Sequence, residues 1–285
     1  MPFSVALVTM SPHPRDNDYP LLGAALAKRH LQTVDVAWTD EFDFSQVDLA
    51  VIRSTWNYHL TQPAFVAWAK KVPRLCNPAP IVEWNSNKHY LHDLEARGVP
   101  VIPTAYVTAS ARMPLIELCD ARGWSEAVVK PCISGGAHLT RRFSKTSTHD
   151  AEQTLDAILG GCDAMVQPYL HSVETTHERS LVYLDGVFSH AVRREPVLIT
   201  RQFVGSLAAP AEDERWVAES VLRSVPDAPL LYARVDLARD DSGGLCLMEL
   251  ELIEPHLYLH THPPSAEVFA DAIERRVHAF REQPH

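Results

Sequence analysis

Apolar and polar residues follow a strand-and-helix pattern through the first part of the chain. Short apolar runs at 3–10 and 48–54 alternate with segments of helical spacing at 19–30 and 61–72. Strands that alternate with helices are typical of parallel βαβ units. The pattern therefore predicts a small, open, parallel α/β domain over residues 1–108.

Beyond residue 108 the pattern predicts an α+β architecture with antiparallel sheets. Strand-like runs recur between residues 126 and 194, and Asp185 with Gly186 is typical of a two-residue hairpin turn. Helical spacing marks residues 150–159, 211–224 and 265–280. We expect two lobes, a small one over 109–168 and a C-terminal one over 169–285.

Residues 245–252 alternate between apolar and polar side chains near the C-terminal end, which is typical of a strand with one polar face. Glu249 and Glu251 are neighbours on that face, and Glu254 follows closely, although like charges in such positions repel. A strand that places anions together requires a compensating positive charge nearby.

The polar turn before this strand predicts how it pairs with the preceding one. A hairpin centred just after Ser242 would pair Asp236 with Glu249 and Arg234 with Glu251, with all four side chains on one face. The opposite face would then be apolar and carry Val235, Leu237, Met248, Leu250 and Leu252.

The carboxylates of Asp236, Glu249 and Glu251 would converge on one point and repel each other unless a cation lay between them. Oxygen ligands without clustered Cys or His favour a hard ion such as Mg²⁺, with Mn²⁺ as a close substitute. A solvated hairpin whose carboxylates pair with surface lysines is the alternative. A Ca²⁺ module is disfavoured because the EF-hand spacing is missing.

A metal of this kind usually accompanies a nucleotide, but neither GxxxxGK[ST] nor GxGxxG occurs in the sequence. Lys130 instead ends an apolar run and precedes a loop of small residues that includes Ser134, Gly135 and Gly136. Glycine lets backbone N–H groups approach phosphate oxygens, and lysine supplies charge. An ordinary turn with an exposed lysine is the alternative.

Composition narrows the class of protein. The formal net charge of −10 argues against nucleic-acid and anionic-membrane partners. Five scattered cysteines without a CxxC pair favour a reducing cytoplasm, and we find neither a signal-peptide pattern nor a membrane-spanning apolar run. We expect a cytoplasmic protein with a small-molecule partner, for which a homodimer would be the commonest assembly.

In their order along the chain, Lys88, Lys130, the segment "MVQPYL" (165–170) and the acidic hairpin resemble the ATP-grasp superfamily. The resemblance covers roughly residues 80–285, and it implies a preceding α/β domain followed by a two-lobed ATP-grasp domain. Within the superfamily, segments such as "VIRSTWNY" and "MELELIEP" are most similar to the cyclo-ligases that act on O-ureido-serine in cycloserine biosynthesis.

This resemblance implies specific roles for the candidate residues. Nucleotide binding would involve Lys88 and Lys130 at the phosphates, the loop of Ser134, Gly135 and Gly136, the adenine-framing Gln167, Tyr169 and Leu170, and Glu178 at the ribose. Glu174 competes with Glu178 for the ribose role. Asp236, Glu249 and Glu251 would hold the metal, and Arg234 would lie beside the γ-phosphate. Many family members have Asn where this chain has Glu251.

Substrate contacts are predicted at the end of the third strand of the first domain, because ligands of open α/β sheets gather there. Arg53 could hold a substrate carboxylate, with Ser54 beside it and Trp56 and Tyr58 as walls. A domain-interface ion pair for Arg53 and a core position for Trp56 are the alternatives.

Two further groups of residues are candidates for the site. Of Arg193 and Arg194, one should face solvent, and we assign Arg193 to the catalytic site as a phosphate or carboxylate ligand. His256, His260 and His262 suggest zinc, but without a supporting Cys or carboxylate pattern we expect them at the substrate pocket or the surface.

The resulting prediction is a carboxylate–amine ligase that uses Mg²⁺ and ATP and forms an acyl phosphate and ADP. Its substrate would be small and amino-acid-like, and ring closure within that substrate is one form of the reaction. A kinase that stops at the phosphorylated product and a non-catalytic ATP sensor are the alternatives.

Overall fold

The computed structural model describes residues 3–15, 17–195 and 204–282, and its first sheet is parallel as predicted. Its strands are β1 (Ser4–Thr9), β2 (Gln32–Ala37), β3 (Leu49–Ser54) and β4 (Leu75–Cys76), in the order β2-β1-β3-β4. The helices of this region are α1 (Tyr19–Lys28), α2 (Gln62–Ala69), α3 (Ala79–Asn85) and α4 (Tyr90–Ala96). All six residues of β3 are buried, as expected for a central parallel strand.

A second sheet is antiparallel in the order β5-β8-β6-β7. Its strands are β5 (Ala105–Val107), β6 (Glu126–Pro131), β7 (Arg141–Ser144) and β8 (Ala164–Pro168), and it packs with helices α5 (Leu115–Arg122) and α6 (His149–Leu159). Because β5 pairs with β8, this sheet includes residues just before 108. The division at 1–108, 109–168 and 169–285 stays a prediction.

The third sheet is also antiparallel, in the order β11-β10-β9-β12-β13. Its strands are β9 (Glu178–Leu184), β10 (Val187–Arg194), β11 (Gly205–Leu207), β12 (Tyr232–Arg239) and β13 (Leu245–Glu251), with helices α7 (Val173–Thr176), α8 (Glu212–Arg223) and α9 (Pro264–Glu282). The predicted turn is confirmed: Asp185 and Gly186 have φ of 52° and 77°, the left-handed values that a type I′ hairpin turn needs. None of the helices in the described residues is long and apolar enough to cross a bilayer.

The acidic hairpin pairs as predicted, with Asp236 opposite Glu249 and Arg234 opposite Glu251. Just beyond, the register shifts by one residue, because Leu237 pairs with Leu247 and leaves Met248 as an extra residue in β13. Such a β-bulge redirects side chains. The prediction that Met248 joins the face opposite the glutamates is therefore wrong: it faces the same cavity as they do.

The outer edge of β13 is hydrogen-bonded by residues between 85 and 102. The amide of Asn85 accepts from the backbone N–H of Leu252 and donates to the carbonyl of Leu250, both at 2.9 Å. The hydroxyl of Tyr90 accepts from the N–H of Leu250 at 2.9 Å. Nearer the turn, Leu247 exchanges backbone hydrogen bonds with the segment 100–102. The edge therefore has partners along most of its length.

Candidate active site

A cavity of about 450 Å³ collects side chains from both antiparallel sheets and from segments that follow the strands of the parallel sheet. Most of the predicted site residues line it: Trp56, Lys88, Lys130, Ser134, Gly135, Gly136, Gln167, Tyr169, Leu170, Glu178, Arg234, Asp236, Glu249 and Glu251. Arg53, Ser54 and Arg193 do not, whereas Tyr58, Arg194 and His256, which the sequence offered as pocket or ligand candidates, do. Met248 and Glu254 are additions that were not assigned to the site from sequence.

The three predicted metal carboxylates converge in this cavity. One oxygen from each of Asp236, Glu249 and Glu251 lies within 4.8 Å of the other two. Asp236 is fully buried, whereas the glutamates are half-buried. A set of three carboxylates without nitrogen or sulfur donors fits a hard divalent cation.

Two arginines neutralise Asp236 from within the protein. Arg234 binds it through two hydrogen bonds, Nε to Oδ1 at 2.9 Å and Nη2 to Oδ2 at 2.8 Å, and Arg234 also contacts Glu251. Arg194 Nη2 donates to Asp236 Oδ2 at 2.9 Å, and Ser180 Oγ to Oδ1 at 2.6 Å. Burial alone would raise the pKa of Asp236, but the arginines lower it, so this carboxylate is ionised.

The pKa values of the two glutamates of β13 shift in opposite directions. Burial raises the pKa of Glu251 to about 7, opposed by Arg234 and assisted by Glu249 and Asp236. Burial would also raise the pKa of Glu249, but Lys88 and Lys130 lower it below its usual value. The hairpin thus carries one firmly ionised glutamate and one that titrates near neutral pH.

Two lysines form the cationic wall that faces Glu249. Lys88 Nζ lies 3.2 Å from Glu249 Oε1 and donates to the Ser134 carbonyl at 2.9 Å and hydroxyl at 3.1 Å. Desolvation and the neighbouring Lys88 lower the pKa of Lys130, against the attraction of Glu249. Lys88 therefore ties the loop of Ser134, Gly135 and Gly136 to the acidic cluster.

An apolar pocket occupies another part of the cavity. Met248 packs against a cluster formed by Ile102, Tyr169, Leu170, Val173, Ala238 and Cys246. Gln167 is buried beside it, and its Nε2 donates to Thr104 Oγ1 at 2.9 Å. Apolar walls with a few fixed polar groups suit a flat heterocycle.

The structure separates the two acids that compete for the ribose role. Glu178 lines the cavity and accepts from Arg194 Nη2 at 2.6 Å, and burial raises its pKa. Glu174 lies outside the cavity, where it binds Arg142 and the hydroxyl of Tyr169, both at 2.8 Å. Position therefore favours Glu178, although its role stays a prediction.

The assignment of Arg193 to the catalytic site requires correction. Arg193 is exposed, whereas its neighbour Arg194 is buried and bridges Glu178 and Asp236. The cause is a register shift between Phe188 and His190, which adds one residue to β10. That extra residue places Arg194 opposite Glu178.

Arg53 and Ser54 also lie away from the cavity. Arg53 is buried against the rings of Tyr232 and Phe269, with its guanidinium carbon 5.9 and 5.7 Å from their centroids. Ser54 is hydrogen-bonded to Thr9 through their hydroxyls at 2.7 Å. Both side chains are still within β3, where neighbouring elements cover them. The first residue of this segment to reach the cavity is Trp56.

Glu254, three residues beyond Glu251, lines the cavity beside Trp56. The indole of Trp56 donates to the Glu254 carbonyl at 3.2 Å and packs on the ring of His256 at 4.8 Å. Burial and the nearby Glu251 and Glu249 raise the pKa of Glu254 well above its usual range. The run of glutamates in the sequence was the signal that could have added Glu254 to the site.

The three C-terminal histidines do not gather around a metal. His256 lines the cavity, His260 pairs with Asp18 at 2.7 Å, and His262 stacks on His190. Within the described ranges, the one group with metal-ligand geometry is that of the three carboxylates. Cys132, beside Lys130, is buried, and burial raises its thiol pKa to about 12, which makes it a poor nucleophile.

An α/β domain followed by two antiparallel sheets, with lysines and a carboxylate hairpin around one cavity, is the arrangement of the ATP-grasp ligases. A family model described as the N-terminal domain of D-cycloserine synthetase DcsG matches residues 5–77. The cycloserine biosynthesis protein DcsG of Streptomyces lavendulae is 33% identical over 290 residues, which cover 93% of this chain and 95% of that protein.

Solved structures agree with this relationship. The crystal structure of D-cycloserine synthetase DcsG matches with a TM-score of 0.88 and 32% identity, over 96% of this chain and 99% of that one. D-alanine–D-alanine ligase from Bacillus anthracis, complexed with ATP, shares the fold at a TM-score of 0.69 and 15% identity, over 99% of this chain and 100% of that one. The chain belongs to the DcsG family of ATP-grasp ligases, ATP-dependent enzymes that form C–N bonds.

Proposed function

We propose that this enzyme closes a ring within a small amino-acid substrate, O-ureido-serine being the candidate, at the expense of ATP and with Mg²⁺ as the metal. The observation that carries the proposal is the convergence of Asp236, Glu249 and Glu251 opposite Lys88 and Lys130 in one cavity. ATP-grasp ligases use ATP and a divalent metal, and 33% identity to DcsG directs the choice of substrate.

The three carboxylates are the residues that would hold the magnesium, which neutralises phosphate charge when bound. Lys88 and Lys130 would meet the phosphate oxygens, and the loop of Gly135 and Gly136 would offer backbone N–H groups to them. The apolar pocket around Met248 would take the adenine. These groups would position the nucleotide and neutralise its phosphate charge, which is most of what phosphoryl transfer requires.

The proposed chemistry has two steps. A substrate carboxylate oxygen attacks the γ-phosphorus, the bond to ADP breaks, and an acyl phosphate forms. A nitrogen of the same molecule then attacks the acyl carbon, a C–N bond forms, phosphate leaves with the bonding electrons, and the nitrogen loses a proton. Arg234 and Arg194 are both buried at the cavity, where they bind Asp236. If Asp236 bound the metal instead, these arginines would be available to stabilise the phosphate oxygens.

The test is ADP release with Mg²⁺ and ATP across O-ureido-serine enantiomers, serine and pairs of amino acids with amines, with the products identified by mass. From O-ureido-serine alone we expect ADP and phosphate from ring closure, followed by cycloserine, carbon dioxide and ammonia once water hydrolyses the carbamoyl group off the ring nitrogen. A phosphorylated product without ring closure would indicate a kinase, and a strict requirement for a second amine would indicate intermolecular ligation.

Variants check the metal assignment. We expect Glu249→Gln and Asp236→Asn to lose at least about 100-fold in kcat, since each removes a charge from the metal set. Glu219→Gln, at an exposed helix pair with Arg215, is the matched control and should keep full activity. Full turnover in both site variants would refute the metal assignment.

A further inference from the structure

One end of the cavity, away from the residues assigned to the nucleotide, is lined by aromatic side chains. Trp56 and Tyr58 come from the first domain, His256 packs on Trp56, and Gly135 closes the space opposite them. A β-carbon at Gly135 would lie only 3.8 Å from Glu254 Oε1 and 3.4 Å from the Trp56 carbonyl. The carboxylate of Glu254 therefore lies in a small compartment with aromatic walls.

The acids of the cavity differ in whether the protein itself supplies a partner. Asp236 and Glu178 bind Arg194, Glu251 binds Arg234, and Glu249 binds Lys88. Within the described part of the chain, no other side chain forms a hydrogen bond or ion pair with the Glu254 carboxyl, which accepts from its own backbone N–H and is attracted by Lys88 without contact. Glu254 is partly buried, and a carboxylate that loses water without a cation in contact is unfavourable, so this site is suited to a cation that arrives with a ligand.

The metal and the nucleotide are poor candidates for that cation. The group with metal-ligand geometry consists of Asp236, Glu249 and Glu251 and does not extend to Glu254. The triphosphate of ATP is anionic and would be repelled by the carboxylate, and adenine is neutral at the pH of the cell. A positive charge must then come from the second substrate.

We propose that Glu254 binds the ammonium group of the amino-acid substrate and so selects α-amino acids over their des-amino analogues. This inference rests on the proposed function for the substrate class. Glu254 follows Glu251 by three residues, so an amino acid whose carboxylate faces the metal cluster can present the ammonium on its adjacent carbon to Glu254. Trp56 and His256 enclose that group and exclude water.

The test compares wild type with Glu254→Gln, using Glu219→Gln as the control. In Glu254→Gln, we expect KM for O-ureido-serine to rise about 10- to 100-fold, the range for losing a hydrogen bond between charged groups. KM for ATP should stay within about twofold. The variant should remain folded, because glutamine keeps the side-chain volume and is uncharged at a position where the surroundings already disfavour the charge of Glu254.

Direct binding separates recognition from catalysis. By calorimetry, D-cycloserine, which carries the amine, should bind wild type and lose affinity for Glu254→Gln by the same factor. Its analogue without the amine, isoxazolidin-3-one, should bind both proteins equally. Unchanged D-cycloserine affinity in Glu254→Gln, or a parallel rise in KM for ATP, would overturn the role of Glu254.

The proposed function and this inference fail differently. If wild type does not turn over O-ureido-serine, the proposed function fails, and the binding comparison is repeated with a panel of D- and L-amino acids. An amino acid that binds wild type and is lost in Glu254→Gln supports the ammonium site on its own. If wild type binds none of these amines, the inference is overturned.

Discussion

Glu251 should make the metal-free protein less stable as the pH rises. Burial raises its pKa from 4.5 to about 7, so the folded protein holds this proton more tightly than the unfolded chain does. Raising the pH through that window therefore favours the unfolded chain. The pKa difference corresponds to about 3 kcal/mol at pH 8, as an upper limit for a carboxyl coupled to Glu249 and Asp236.

The perturbation is Glu251→Gln, which keeps the shape and an oxygen that can accept from Arg234 but carries no charge. In EDTA, urea unfolding should show the variant more stable than wild type by up to about 3 kcal/mol at pH 8 and by less than about 1 kcal/mol at pH 5. Glu219→Gln should show no such pH dependence. Added Mg²⁺ with nucleotide should remove the advantage by stabilising wild type.

A gain in stability that is equal at pH 5 and pH 8 would refute the reasoning, because a packing effect has no reason to follow the titration of a carboxyl group. A loss of stability at pH 8 would show that the charge of Glu251 is compensated by Arg234 more fully than burial penalises it.

Three other substitutions test other parts of the structure. Arg194→Ala should cost about 3–5 kcal/mol in urea unfolding and abolish turnover, because Glu178 loses its ion-pair partner and Asp236 loses one of its two arginines. Arg193→Ala should stay within about 0.5 kcal/mol and remain active; equal effects would contradict the placement of β10. Met248→Ala should raise KM for ATP several-fold with little change in kcat, and an unchanged KM would place the adenine elsewhere. Asn85→Ala should cost about 2–4 kcal/mol in unfolding free energy, since it removes the partner of two backbone groups, the carbonyl of Leu250 in β13 and the N–H of Leu252 just after it; a cost near zero would show that the contact adds nothing.

Alternation and turn chemistry predicted the parts of the site that lie in regular structure. The pairing of Asp236 with Glu249 followed from the two-residue period and the position of one turn. The hairpin at Asp185 and Gly186 followed from residues that tolerate positive φ. Both depend on local rules that act within a few residues.

The residues for which the sequence predicted the wrong position lie at or just beyond β-bulges. In an unbulged hairpin around Asp185 and Gly186, Arg193 would stand opposite Glu178, and one extra residue near Ser189 moves Arg194 there instead. Met248 reached the cavity in the same way. A bulge depends on how sheets pack against their neighbours, and nothing in the adjacent sequence marks it.

Helix boundaries were missed for a similar reason. Residues 85–100 have helical spacing with an Asn at the start, Gly98 as a stop and Pro100 beyond, and this pattern predicts one capped helix. In the structure α3 ends at Asn85 and α4 begins at Tyr90. Asn85 uses its amide on β13, and the intervening Lys88 donates its backbone N–H to the Cys132 carbonyl. Such distant partners are invisible to a local pattern. The stop at Gly98 was placed correctly, with a φ of 84°.

The hydrogen bonds that residues 85–102 make to the edge of β13 limit which fragments of the protein can fold alone. An edge strand whose N–H and C=O groups lack partners is a template for aggregation. Here those groups are satisfied by Asn85, Tyr90 and the segment 100–102, all of which precede residue 108. A fragment that began at residue 109 would expose this edge and free the strand that carries Glu249 and Glu251 to slip. The metal-binding hairpin is therefore not a transplantable module, because its alignment is fixed by another part of the chain.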